Sequence, residues 1–218
     1  MPTHKIFPSF IFHESLKIQK KSNNGFSKLM NELIKESYQI AAADKKGQKW
    51  SQKNYPVGYT SYSSLSRLFE LSSTFNKLKQ LIDKKVFKFA QDCHMKLQPN
   101  ELQMVSLWLN IMPQKATHSL HLHPLSTISG TVYLQTPHEG GLFKIEDPRL
   151  SKMMASPPRK ETPLKNQKTL SGDVPGQFVK IQPKPGDIIL FESWLRHEVE
   201  PHFTDADRIS VSFNYNWF

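Results

Sequence analysis

From Leu102 onward the apolar residues recur every second position, and that period constrains the chain more than any other feature. Val105, Leu107, Leu109 and Ile111 fall on one face of an extended segment, with Ser106, Trp108 and Asn110 on the other. Further short apolar runs follow near 117–122, 129–135, 140–145, 177–181, 186–192, 196–200 and 207–217, punctuated by Gly, Pro and Asp. Such spacing predicts a sandwich or jelly-roll barrel.

The first hundred residues read differently. After a strand-like start at Ile6 to Phe12, residues 25 to 40 place Phe26, Leu29, Met30, Leu33, Ile34 and Tyr38 at helical spacing. A second helix follows Ser72, Ser73 or Thr74 as N-cap and carries Phe75, Leu78, Leu81, Ile82, Val86, Phe89 and Ala90 on one stripe. The polar, lysine-bearing segment from Asp44 to Tyr55 reads as a loop. The predicted class is mainly β with flanking α: one domain over 1–218, with a helical flank at 1–100 and the β core at 101–218. Between Pro148 and Gly176, prolines, lysines, serines and threonines argue against strands and predict a long loop over the barrel mouth, a candidate lid.

Charge is uneven. Of the 29 basic residues, 17 lie in 1–100 against 7 acidic ones, giving that half the whole +10 excess. The lysines are dispersed and lack interleaved stacking aromatics, which predicts a solvated face and argues against specific nucleic-acid binding. No window reaches the roughly 18 uninterrupted apolar residues a spanning helix needs. The single cysteine, Cys93, excludes an internal disulfide. Together these features predict a cytoplasmic protein with no membrane partner; oligomeric state is not legible.

The chemistry is carried by His118-Ser-Leu-His121-Leu-His123-Pro. On a strand, i and i+2 share a face, so His121 and His123 come within reach of one ion. His197, in Trp194-Leu-Arg-His197, lies on another predicted strand and supplies a third imidazole. Three ligands from one side leave positions open for a chelating co-substrate and dioxygen, which suits iron(II), although the spacing fits zinc, nickel and copper as well. Arg208, Ser210, Ser212 and Asn214 alternate onto one face of the last strand. There a guanidinium with an adjacent hydroxyl can take a dicarboxylate.

These blocks, with Ser126-Thr-Ile-Ser129-Gly130-Thr-Val-Tyr133, Glu146-Asp147-Pro148-Arg149 and Phe191-Glu-Ser193-Trp194, resemble the 2-oxoglutarate- and iron(II)-dependent oxygenases over about 102–217. The resemblance implies a double-stranded β-helix, that is, a jelly-roll or cupin-like barrel supported by N-terminal helices. It implies iron(II), 2-oxoglutarate and O2, with release of succinate and CO2 and hydroxylation of an unidentified small-molecule or peptide substrate. His121 and His197 match the family's two histidines. His123 stands where the common pattern has a carboxylate, so either three histidines bind iron or Asp147 is recruited; the spacing favours three histidines. A neutral ligand there makes the site more positive by one unit, favouring a dianionic co-substrate. The resemblance also places Tyr133 beside the co-substrate with Arg208 and Ser210, and Trp108, Asn110, Trp194 and Asn214 near the substrate. A zinc hydrolase or lyase, and a non-catalytic binding barrel, are the competing readings.

Overall fold

A computed structural model describes residues 8–17, 23–55, 57–139, 141–149, 170–173 and 178–218. Period two in the second half produces two antiparallel sheets that face each other. The larger joins β1 (Ile11–Ser15), β9 (Asp187–Glu192), β5 (Ile128–Gln135), β11 (Arg208–Trp217), β3 (Leu102–Met112) and β2 (Tyr59–Thr60), in that order. The smaller joins β4 (His118–His121), β10 (His197–Val199), β6 (Phe143–Glu146), β8 (Phe178–Ile181) and β7 (Leu170–Asp173). The start at Ile6 to Phe12 is partly outside the described residues; the strand itself runs later, over β1.

Parity decides which side of the larger sheet each residue serves. Ile209, Val211, Phe213 and Tyr215 of β11 join Leu107 and Leu109 of β3, Val132 of β5 and Leu190 of β9 in a core beneath the helices. The helical side comes from α1 (Asn23–Ala43) and α4 (Ser73–Asp92), through Leu33, Phe75, Leu78, Ile82, Val86 and Phe89. Each such side chain contributes about 1.5–3 kcal/mol by leaving water. The alternate residues of β11 therefore face the other sheet, where Tyr133, Ile189 and Phe191 meet Phe143, Ile145 and Ile181. Ser72 caps α4, its Oγ accepting from the backbone N of Thr74 at 3.1 Å and of Phe75 at 3.2 Å. Tyr38, expected in the core, is instead 43% exposed, and its hydroxyl donates to Asp207 at 2.8 Å.

Two expectations are corrected. The segment read as a loop at 44–55 contains α2 (Lys45–Asn54). Its polarity is satisfied locally: the buried Asp44 carboxylate caps the helix by accepting from Gly47 N and Tyr59 Oη, each at 2.9 Å, and from Ser64 Oγ. A Cβ at Gly47 would sit 2.0 Å from that carboxylate, so only glycine permits the approach. Within 148–176, residues Leu170–Asp173 form β7, paired antiparallel with β8, because backbone hydrogen bonding to an edge strand needs no apolar alternation. Residues 150–169 and 174–177, on which most of the lid expectation rests, lie outside the described residues. Among the described residues no helix is long and apolar enough to cross a membrane.

Asp44→Ala removes the α2 cap and leaves the Tyr59 and Ser64 hydroxyls without their acceptor. Urea denaturation should show a loss of about 1–2 kcal/mol; an unchanged midpoint would show that α2 is held by other means.

Candidate metal centre

Strand β10 brings the histidines together. It lies against β4 with His197 opposite His121, while His123, just past the end of β4, is tied down by its backbone N donating to Ser193 O at 3.0 Å. The candidate ligand nitrogens of His121, His123 and His197 all lie within 4.8 Å of one another. Each ring has its Nδ1 committed to an oxygen that can only accept. His121 Nδ1 meets Ser119 O at 2.7 Å, His197 Nδ1 meets Leu195 O at 3.0 Å, and His123 Nδ1 meets Asn214 Oδ1 at 2.6 Å. Nδ1 must then carry the proton, which leaves the Nε2 lone pair of each neutral ring free for an ion. Asn214 Oδ1 is itself fixed by Ser129 Oγ at 2.8 Å, and Ser129 by Ser193 at 2.7 Å.

The surroundings keep the rings neutral. Phe191 and Phe143 lie 4.4 and 5.3 Å from the His197 ring, centroid to centroid. Burial, followed by repulsion from His121, pulls the His197 pKa down to about 2. Burial likewise lowers His121, and takes His123 to about 4. A donor set of three neutral imidazoles fits a borderline transition-metal ion such as iron(II).

Arg208 anchors the other end of the pocket. It is 1% exposed, and no carboxylate pairs with it among the described residues. Its Nη1 donates to Gly141 O at 3.2 Å and Glu200 O at 3.5 Å, and its Nη2 to Met112 Sδ. Gly141 suits its φ of +65°, which side chains rarely adopt, and a Cβ there would lie 2.9 Å from Nη1 and push the guanidinium. Burial lowers the Arg208 pKa without neutralising so strong a base. A buried cation held only by neutral acceptors has an unmet demand for an anion. Across the sheet, Arg208 is paired with Met112, and Ser210 with both Asn110 and Tyr133.

One pocket is lined by the three histidines, Arg208, Ser210, Tyr133, Trp108 and Asn110. The other expected residues separate from it. Asn214 is not among the lining residues; its amide faces His123, so it holds a candidate ligand rather than meeting a substrate. Trp194 is 48% exposed and also outside the lining, since the turn after β9 points it outward. Asp147 is not in the metal-ligand group; its carboxylate accepts from Arg149 Nε at 2.9 Å within the Asp-Pro-Arg turn.

Among the lining residues given no role in the sequence reading are His118 and Tyr55. His118 stacks on His121 at 4.1 Å, and Tyr55 packs edge-on against His118 at 5.2 Å. The first was visible as the opening residue of the histidine run. No local signal marked Tyr55, which reaches the pocket only because α2 ends there. Tyr62, from the same connection, packs edge-on against Trp108 at 5.1 Å, extending an aromatic wall towards the surface.

The depressed histidines predict a pH dependence. In the unfolded chain these rings take up protons near pH 6.5, whereas in the folded chain His118, His123 and His197 do so only near 3, 4 and 2. The unfolded state binds more protons between those values, so stability falls as pH falls. Metal-free protein should lose urea resistance steadily from pH 6.5 towards 4; a flat profile would show that the rings are solvated.

Residues 106–214 match the model of a family described as "Putative 2OG-Fe(II) oxygenase". No curated protein matches the chain. Among solved structures it is similar to a prolyl-4-hydroxylase from Pseudomonas putida, at 13% identity over 96% of this chain and 94% of that one, with TM-score 0.58. It is similar also to the non-haem α-ketoglutarate-dependent epimerase SnoN from nogalamycin biosynthesis, at 15% identity over 95% and 76%, with TM-score 0.65. A third is HygX from Streptomyces hygroscopicus with nickel and 2-oxoglutarate bound, at 14% identity over 95% and 83%, with TM-score 0.57. These likenesses establish the double-stranded β-helix fold. The family model spans half the chain, and the chain accordingly belongs to the 2-oxoglutarate- and iron(II)-dependent oxygenases, working with iron(II), 2-oxoglutarate and O2.

Proposed function

We propose that this oxygenase hydroxylates a prime substrate, with His121, His123 and His197 holding iron(II) and Arg208, Ser210 and Tyr133 holding 2-oxoglutarate. The observation that carries the reading is the pairing, in one pocket, of three free imidazole lone pairs with a buried guanidinium that meets no carboxylate among the described residues. When bound, iron(II) supplies the activation of O2: one oxygen atom enters succinate as 2-oxoglutarate loses CO2, and the other enters a substrate C–H bond as a hydroxyl.

The chain's own part is positioning. Arg208 takes the distal carboxylate through a guanidinium fork, and Ser210 and Tyr133 supply neutral donors beside it. The Tyr133 phenol stays protonated, burial holding its pKa well above the usual range. Asn214, backed by Ser129, fixes the His123 tautomer. Phe143 and Phe191 keep water from the His197 side. Trp108 and Tyr62 form the wall along which a substrate approaches. The family match, together with an Arg208 that meets no carboxylate among the described residues, favours this reading over a zinc hydrolase or a non-catalytic barrel. The names of the similar structures cover both hydroxylation and epimerisation, so the barrel alone does not select the substrate.

Anaerobic iron(II) protein titrated with 2-oxoglutarate should develop a charge-transfer band. Arg208→Gln should weaken 2-oxoglutarate binding about a hundredfold while leaving iron binding intact; unchanged binding would remove Arg208 from the site. Asn214→Leu should lower iron affinity about 10–100-fold, as loss of a ligand's hydrogen-bond partner does. Wild-type affinity in that variant would mean that Asn214 is not needed to orient His123.

A further inference from the structure

The lysines of the 44–55 segment stand on a helix, and the helix gathers them. The inner face of α2 carries the buried Gly47 and Ser51, and Ser51 Oγ accepts from the Thr60 backbone N of β2 at 3.0 Å. With about 3.6 residues per turn, Lys45, Lys46, Lys49 and Lys53 fall within an arc of about 100° on the opposite side. All four are exposed, and none forms an ion pair among the described residues.

Nothing within the helix offsets this charge. Its sequence has no acidic residue, and Lys45 and Lys46 occupy the first turn, where the helix dipole disfavours cations. Lys45 with Lys49, and Lys49 with Lys53, are like charges four residues apart, which is again unfavourable. Asp44 is spent on the cap. Glu36 shares a groove with Lys45 and Lys46 but pairs with neither, which leaves Lys49 and Lys53 the clearest of acidic neighbours. Local placements that work against the helix, kept together on one exposed face, mark a surface that serves binding.

This face leads to the pocket. Tyr55, the residue after α2, lines it, and Tyr62, 52% exposed, packs against the lining residue Trp108. Ala116 shares a small core with Tyr55 and Met112, so the exposed Lys115 next to it, also without an ion pair among the described residues, continues the positive surface beyond the end of α2.

We propose that the outer face of α2, with Lys115, docks an acidic stretch of a polypeptide substrate and so brings a neighbouring residue of that polypeptide to the mouth of the pocket. The inference rests on the reading of the pocket as a hydroxylating site. Lys45, Lys49 and Lys53 rise about 6 Å at each step, about 12 Å in all, which exceeds the reach of one small anion. Acidic side chains on one face of an extended chain repeat about every 7 Å and match that step. Single-stranded nucleic acid fits less well, because it needs aromatic platforms for its bases, and Trp50 of α2 packs against the core of Tyr55, Met112 and Ala116.

The test uses a fluorescently labelled glutamate oligomer of about ten residues, titrated by anisotropy at low salt into the iron(II)-loaded protein. Lys49→Gln with Lys53→Gln should weaken binding about tenfold. Lys77→Gln with Lys84→Gln, an equal loss of charge on α4, should leave it unchanged. The same oligomer carrying a terminal benzophenone should, on irradiation, label the stretch from Tyr55 to Tyr62 or Trp108. Equal loss in both pairs of variants overturns the proposal, since the attraction would then be that of net charge alone; so does labelling confined to other regions. Tighter binding of an oligothymidylate of the same length, lost in the α2 variants, overturns it in favour of nucleic acid. Titration with 2-oxoglutarate, run in parallel, should be identical in all these proteins. Wild-type protein that docks the glutamate oligomer but takes up no 2-oxoglutarate overturns the oxygenase reading and leaves the docking surface standing.

Discussion

Three oxygen atoms that can only accept hydrogen bonds set the character of the pocket. Ser119 O, Leu195 O and Asn214 Oδ1 each take the Nδ1 proton of one histidine, and the remaining lone pairs converge without competition. Two of these acceptors are backbone carbonyls two residues before the histidine they hold, so the path of β4 and the turn into β10 is itself part of the site. The third is a side chain from β11, which ties the smaller sheet's metal end to the larger sheet.

Charge explains the opposite end. A guanidinium buried among neutral acceptors is costly in isolation, and three neutral imidazoles give a bound divalent ion no charge compensation from the protein. A dianion that bridges the two satisfies both demands at once. With a carboxylate in the position of His123, part of that demand would be met internally; with the proposed set of three imidazoles it would fall on the ligand. Metal and co-substrate binding should accordingly be strongly coupled, each lowering the cost of the other.

The sequence made much of this legible because period two is unambiguous where both faces of a strand have a job. On β11 it separated Ile209, Val211 and Phe213, which pack under the helices, from Arg208, Ser210 and Ser212, which line the pocket. What parity cannot give is how far a side chain turns once it is on the right face. Asn214 shares the inner face yet is spent on His123, and Trp194 stands in a turn where alternation no longer applies. The α2 helix was hidden for another reason: its capping network joins Asp44 to Tyr59 and Ser64, partners that become visible only when the chain has folded back. Tyr55 was hidden with it. Nor did composition disclose β7, because edge pairing is a backbone transaction.

The central claim is a ligand set of three imidazoles with no carboxylate from the chain. X-ray absorption at the iron edge of the anaerobic iron(II) protein, before 2-oxoglutarate is added, tests it most directly. Scattering from three imidazole rings, unaltered in Asp147→Ala, is the predicted result. Two imidazoles with a protein carboxylate, lost in that variant, would contradict it.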